Sequence, residues 1–317
     1  LKLTTAFLKL VRWPNLVFIA LTQVLFLYCI ENPIFYNAKI GTNVHGVYFV
    51  LLTLASIFIA AAGNIINDYF DLNIDQINKP QKVIVDKVIN RRSAILWHLL
   101  LSLVGIAFGF YIDWCTSVRF LGLANMASVI LLFLYSASLK KKFLIGNVLI
   151  ALLTAWVILV ITYCETNHLL DVFRKGSSLE ADKLSRLTFL YAGFAFIISL
   201  IREVIKDMED IEGDRRYGCK TMPIVWGLNA SKVFVAVWLT VLIVALVIVQ
   251  FYVLQFGWWF WLSAGYCLLF IIVPLIWIFR KLLVAKSPAD FHQISSLVKT
   301  VMLTGILSML FFKFYAG

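Results

Sequence analysis

Charge is scarce in this sequence. Only 14% of its 317 residues are charged, whereas a soluble domain carries about one-quarter. Hydrophobic residues make up 62%, which excludes an ordinary soluble globular protein. Cysteine and histidine are scarce as well, at five and four. The cysteines form no CxxC pair and no metal-type spacing, so neither a zinc nor a redox centre is expected. A disulfide joining Cys115 to Cys164 on the outer side is not the expectation. His98, near a helix start, reads as an interfacial residue rather than a ligand. No Pro/Gly/Ser-rich linker and no low-complexity tract interrupts the chain, so one domain over residues 1–317 is expected. A cleavable signal peptide is not expected either. The start is weakly basic, and no small-residue cleavage site follows the first apolar stretch.

Long apolar runs fill the space that charge leaves. They predict spans near Leu16–Ile30, Val47–Ile66, Ile95–Ile112, Leu121–Tyr135, Leu144–Tyr163, Leu187–Ile205, Val233–Leu254, Trp258–Phe279 and Ile294–Phe312. Several are long enough to cross about 30 Å of hydrocarbon, and about nine spans result. The implied class is an all-α, multi-pass integral membrane protein.

The net charge of +11 does not point to nucleic acid, because of where the charges lie. Of 28 Lys and Arg, 20 fall in alternate segments that would share one side. These are the N-terminus, the stretch from Lys79 to Arg92, Lys140–Lys142, the stretch from Arg202 to Lys232, and Arg280 to Lys286. The loop Cys164–Arg186 on the other side balances its cations with Glu165, Asp171, Glu180 and Asp182. The positive-inside rule then puts the N-terminus in the cytoplasm, and an odd number of spans puts the C-terminus outside.

The acids are unevenly spread. Of 17 Asp and Glu, ten lie within Asp68–Asp86 and Glu203–Asp214. The first set reads Asn64, Asn67, Asp68, Asp71, Asp75, and the second repeats its spacing as Glu203, Lys206, Asp207, Asp210, Asp214. On a helix each set falls within an arc of roughly 100°. Glu209 and Glu212 fall outside the arc and are expected to meet solvent. Gly213 is expected to end or loosen the second helix. The bland reading is that loops hold charges because spans cannot. It does not explain the matched spacing, and it leaves like charges facing one another without a cation.

Oxygen ligands without His or Cys favour Mg²⁺, with Mn²⁺ as the alternative. Mg²⁺ takes one or two carboxylates, keeps waters and binds substrate phosphates, so two facing clusters could hold a diphosphate. Lys206 projects with the second cluster. Lys79, Lys82 and Lys140 add a basic rim. Diphosphate leaves readily once its charge is neutralised. An allylic cation then needs dry walls and aromatic faces, for which Tyr69, Phe70, Tyr135 and Tyr217 lie near the motifs.

Asn67-Asp68-Tyr69-Phe70-Asp71-Leu72-Asn73-Ile74-Asp75 resembles the NDxxDxxxD signature of the UbiA superfamily of intramembrane prenyltransferases. Lys206-Asp207-Met208-Glu209-Asp210-Ile211-Glu212-Gly213-Asp214 resembles its second signature, KDxxDxxGD. Arg12-Trp13-Pro14-Asn15 resembles its entry to the first helix. Tyr135-Ser136, Leu139-Lys140 and Gly146-Asn147 resemble the join between its fourth and fifth helices.

The resemblance implies nine helices around a central cavity, with the Asp-rich motifs at the cytoplasmic ends of helices 2 and 6. It implies Mg²⁺ bound by Asn67, Asp71 and Asp75, supported by Asp68, and by Asp210 and Asp214 with Asp207 close by. Lys206 would contact diphosphate. Asn64, Asn67, Lys79, Lys82, Tyr135, Lys140 and Glu203 are the candidate substrate contacts. The donor implied is a prenyl diphosphate and the acceptor a lipid or an aromatic compound, among membrane lipids and without nucleic acid. Asn78-Lys79-Pro80-Gln81-Lys82-Val83 departs from the Arg-Pro-x-x-Ser-Gly run of many quinone-pathway members. This stretch looks most like the branch that prenylates geranylgeranylglycerol phosphate. Prenylation of a quinone precursor is the alternative, and a cation transporter a more distant one. A transporter would more usually place such sites at mid-membrane.

Overall fold

A backbone inside hydrocarbon must satisfy its own hydrogen bonds, and helices do so within one segment. The structure, a computed structural model, describes residues 2–37, 41–81, 83–166, 178–253 and 259–313. No strand occurs among them; the one β-bridge joins Val85 to Ile89. The long helices in chain order are α1 (Trp13–Asn37), α2 (Val47–Asn78), α3 (Arg91–Cys115), α4 (Leu121–Ala137), α5 (Ile145–Cys164), α6 (Ser178–Glu209), α7 (Leu228–Val253), α8 (Trp261–Val284) and α9 (Pro288–Phe312). Among the described residues eight are long and apolar enough to cross a membrane, and α4 is the shorter ninth. Every predicted span has its helix. The predicted ends at Leu254 and Trp258 lie outside the described residues, as do Asp171 and Lys82.

Helix ends follow local chemistry. At the start of α9 the Asp290 amide donates to Ser287 Oγ, and Asp290 Oδ2 accepts from the Ser287 amide, which closes a capping box. That capping box begins α9 at Pro288, earlier than the apolar run at Ile294 suggests. In α1 and α8 a π-turn, Leu27–Glu31 and Leu268–Ile272, precedes a proline, Pro33 and Pro274. Proline has no amide to donate, and a widened turn absorbs the missing bond.

The chain divides into two compact units. The first comprises Leu1–Lys140 and Trp156–Phe189, and the second Lys141–Ala155 and Leu190–Gly317. In the first, α2, α3 and α4 pack together. Small residues let the backbones close: a Cβ on Gly109 would lie 2.9 Å from the Gly122 Cα, and one on Gly122 would lie 2.5 Å from the Phe110 ring. Asp113 accepts from the Leu121 and Gly122 amides at 3.0 and 2.8 Å and so caps α4. Asn125 Nδ2 donates to the Gly105 carbonyl at 3.0 Å. His98 is buried, with Nδ1 3.0 Å from the Ala62 carbonyl. It ties α3 to α2. An apolar cluster of Ala6, Leu10, Val11, Ile65, Leu72, Val85 and Ala94 seats the N-terminal helix Lys2–Leu10.

In the second unit Ile198, Ile201, Val204, Ile205 and Met208 of α6 join a buried cluster with α7, α8 and α9 residues such as Leu239, Leu275, Phe291 and Val298. That face lies roughly opposite the arc carrying Glu203, Lys206, Asp207 and Asp210. Burial of one side therefore presents the polar side. Val233, Val237, Val241, Val244 and Ile248 run exposed along α7 at helical spacing, the pattern of a lipid-facing stripe. All five cysteines are free, including Cys115 and Cys164.

Candidate active site

In the first unit the site begins at a strained turn. Arg12 stands between the N-terminal helix and α1 with φ 54°, in the left-handed region, which costs a non-glycine residue about 1–2 kcal/mol. Asn64 Nδ2 donates to the Val11 carbonyl at 2.9 Å and pins this turn to α2. The Arg12 guanidinium thereby reaches Asp68 at 2.7 Å. Partial burial opposes the Arg12 charge, but Asp68, with Asp71 and Asp75 beyond it, outweighs this and raises its proton affinity above the ordinary guanidinium value. The sequence reading placed Arg12 only in a family-like helix entry. Its role as the partner of Asp68 is new.

One turn further along α2, Asn67 Nδ2 donates to Asp71 Oδ2 at 2.8 Å. Lys140 Nζ donates to Asp71 Oδ1 at 2.5 Å and lies 3.4 Å from Asn67 Oδ1. Lys140 comes from the short 3₁₀ turn Leu139–Lys141 that follows α4, and its side chain is only 10% exposed. Thus Asn67, Asp68, Asp71 and Lys140 come together as one constellation. Asp75 is half-buried one turn beyond, and Lys79 caps the end of α2. Tyr135 is half-buried on α4. Lys82 lies outside the described residues.

In the second unit, α6 ends at Glu209, and Asp210 is the hinge to a short helix, Ile211–Arg216. The sequence reading put the weak point at Gly213. Gly213 instead lies buried inside the short helix. Two backbone bonds span the hinge, Asp210 N to Lys206 O at 2.9 Å and Asp214 N to Asp210 O at 3.1 Å. Asp214 therefore stays in helical register with Asp210 despite the break. Asp207 Oδ2 accepts from Asn147 Nδ2 of α5 at 2.8 Å. Glu203 Oε1 accepts from Lys206 Nζ at 2.8 Å and from Arg202 Nη1 at 3.3 Å. Glu212 is exposed, as expected. Glu209 is not: its side chain is 10% exposed and Oε1 lies 3.0 Å from His292 Nδ1 of α9. The arc marks a face, and the face beside it meets another helix. Asn147 and Arg202, which contact Asp207 and Glu203, are the neighbours missed as side chains. Gly146-Asn147 was visible only as part of a motif, and Arg202 only as one basic charge among many.

Among the described residues no three Asp, Glu, His or Cys side chains converge on an ion-sized position. Among the described residues no cage is made by such side chains alone. Mg²⁺ needs no such cage, since it keeps waters and takes one or two carboxylates plus phosphate oxygens. The all-oxygen set of Asn67, Asp71 and Asp75, and separately Asp210 with Asp214, fits that habit.

A helical membrane bundle bearing acid-and-base clusters at two helix ends defines a polytopic membrane enzyme. A family model for the UbiA prenyltransferase family matches residues 34–297. The chain belongs to the UbiA prenyltransferase family. It is 33% identical over 264 residues to a digeranylgeranylglyceryl phosphate synthase of Methanosphaera stadtmanae, covering 82% of this chain and 86% of that protein. A solved structure concerned with digeranylgeranylglyceryl phosphate synthase in membranes matches with TM-score 0.58 and 21% identity over 98% of this chain and 99% of that one. A UbiA homologue from Archaeoglobus fulgidus bound to DMAPP and Mg²⁺ matches with TM-score 0.58 and 17% identity over 96% and 98%. These two likenesses establish the fold.

Proposed function

We propose that this membrane prenyltransferase moves an isoprenyl group from an allylic prenyl diphosphate to the hydroxyl of a glycerol-phosphate lipid, with Mg²⁺ as cofactor. The observation that carries the reading is the Asn67–Asp71–Lys140 constellation at the end of an apolar helix, with Lys140 2.5 Å from Asp71. A carboxylate and a cation held together there suit a metal-bound diphosphate, which needs an oxygen ligand for the metal and a positive contact for the phosphate. The acceptor is supported by the relatives named digeranylgeranylglyceryl phosphate synthase.

In this reading Asn67, Asp71, Asp75, Asp210 and Asp214 hold Mg²⁺, with Asp68 and Asp207 supporting. The bound metal supplies Lewis-acid neutralisation of the leaving diphosphate. Lys140 and Lys206 contact the diphosphate oxygens, with Lys79 and Lys82 on the basic rim. Arg12 and Asn147 hold Asp68 and Asp207 in their rotamers. The C1–O bond breaks and its electron pair leaves with diphosphate. The acceptor oxygen then bonds to C1, and its proton passes to the departed diphosphate. Tyr69, Phe70 and Tyr135 shield the allylic carbon from water.

We further propose that the chain acts as one catalytic domain, and that the N-terminus and both motifs are cytoplasmic with the C-terminus outside. The assay is mass spectrometry of products from purified protein, Mg²⁺, geranylgeranyl diphosphate and geranylgeranylglycerol phosphate. Formation of the diether with diphosphate release is expected. Turnover only with an aromatic acceptor would replace the reading.

A further inference from the structure

Arg202 sits one turn before Lys206 on α6, within the apolar span Ala181–Glu209. Its side chain is 19% exposed, and its Nε is buried with no hydrogen-bond partner. Its Nη1 meets Glu203 Oε1 at 3.3 Å, the same oxygen that takes Lys206 Nζ at 2.8 Å. Glu203, at 13% exposed, thus meets both cations through one oxygen. A guanidinium kept in an apolar helix with donors in reserve is costly unless an anion meets it, and an ionisable residue there is a functional-site candidate by default. On the helix wheel Arg202 and Lys206 form one edge of the polar arc, while Asp207, Asp210 and Asp214 lie on the other side of Lys206. The metal-directed carboxylates and the guanidinium are therefore separated by the lysine.

We propose that Arg202 binds the phosphate monoester of the acceptor lipid, with Glu203 as the positioning residue that orients its planar fork. A guanidinium is suited to this: it is always charged and pairs with two phosphate oxygens at once. The inference rests on the reading of a phosphate-bearing acceptor, and it identifies the residue by which such an acceptor is told from an uncharged one. It also reassigns Glu203 from substrate contact to support.

The alternative source of the same chemistry is the diphosphate of the donor, and steady-state kinetics with the full-length protein separates the two. Two acceptors are compared, geranylgeranylglycerol phosphate and the same lipid without its phosphate, each with geranylgeranyl diphosphate and Mg²⁺. Arg202→Gln is expected to raise KM for the phosphate acceptor about tenfold, leave the donor KM within about twofold and abolish the preference for the phosphorylated lipid. Arg202→Lys keeps the charge and guards against misfolding; loss of the fork still raises the acceptor KM by about threefold. An acceptor KM at the wild-type value in Arg202→Lys and Arg202→Gln overturns the proposal. So does a rise confined to the donor KM, which assigns the guanidinium to diphosphate. If the wild-type protein turns over only unphosphorylated acceptors, the functional reading falls and this inference with it; if the wild type prefers the phosphate lipid and the variants keep that preference, this inference alone falls.

Discussion

Asp71 carries two hydrogen bonds from different parts of the chain, Asn67 at 2.8 Å and Lys140 at 2.5 Å. Its replacement removes both a metal oxygen and the anchor of a cation. Asp71→Ala is expected to lower turnover by about 10²-fold or more, in line with the loss of a charge-stabilising group, with membrane insertion and Tm unchanged. Asn147 acts one step removed, through Asp207 at 2.8 Å. Asn147→Ala is expected to cost about tenfold in activity and to raise the Mg²⁺ concentration needed for half-maximal rate, as lost support of a ligand does. Full activity in a Mg²⁺ titration of that variant would assign Asn147 to packing alone. Spacing alone revealed the aspartates, because a helix repeats and their arc repeats with it. It could not reveal Arg12 or Asn147 as their neighbours, nor Arg202 as the partner of Glu203. Those contacts join residues far apart in sequence or depend on rotamers, and no periodicity encodes them.

At the scale of the element, the close approach of α3 and α4 rests on glycines. A Cβ on Gly109 would stand 2.6 Å from Asn125 Nδ2 and 2.9 Å from the Gly122 backbone. Backbone cannot yield as a flexible side chain can, so Gly109→Ala is expected to destabilise the first unit by about 1–3 kcal/mol. A lowered Tm in detergent is the readout; an unchanged Tm would mean that the helices re-space without loss. The same element leads into the Lys140 turn, so activity should fall alongside. Helix existence was legible from apolar length. Helix ends were less legible: the apolar run put the start of α9 at Ile294, while the capping box closed by Ser287 and Asp290, a local side-chain mark, begins it at Pro288. The hinge at Asp210 carried no such mark: Gly213 offered the usual signal of a weak point, yet the chain bends three residues earlier, at the motif's own aspartate.

For the whole molecule two measurements bear on the proposed arrangement. Chelation of divalent ions is expected to abolish turnover, and Mg²⁺ to restore it, because the diphosphate charge would otherwise be opposed by side chains alone. Activity that survives chelation would remove the metal from the account. Sidedness can be read from cysteine. Cys115, at the far end of α3 from Arg91, is exposed, whereas Cys29, Cys164, Cys219 and Cys267 are buried. A membrane-impermeant maleimide applied to intact cells is expected to label Cys115 and to lose that labelling in Cys115→Ser. Labelling only after lysis would reverse the proposed topology.

The sequence by itself determined that the chain is a bundle of apolar helices, that two acidic arcs recur at matched spacing, and that the family signature runs through both. Those properties are local: hydrophobic length, a 3.6-residue repeat and the identity of adjacent residues suffice. Only the tertiary structure decided which cation meets which carboxylate. Arg12 on Asp68, Lys140 on Asp71, Asn147 on Asp207 and His292 on Glu209 are all contacts between separate elements. They arise because burial of each helix's apolar face leaves its polar face to be shared with whatever the packing brings alongside.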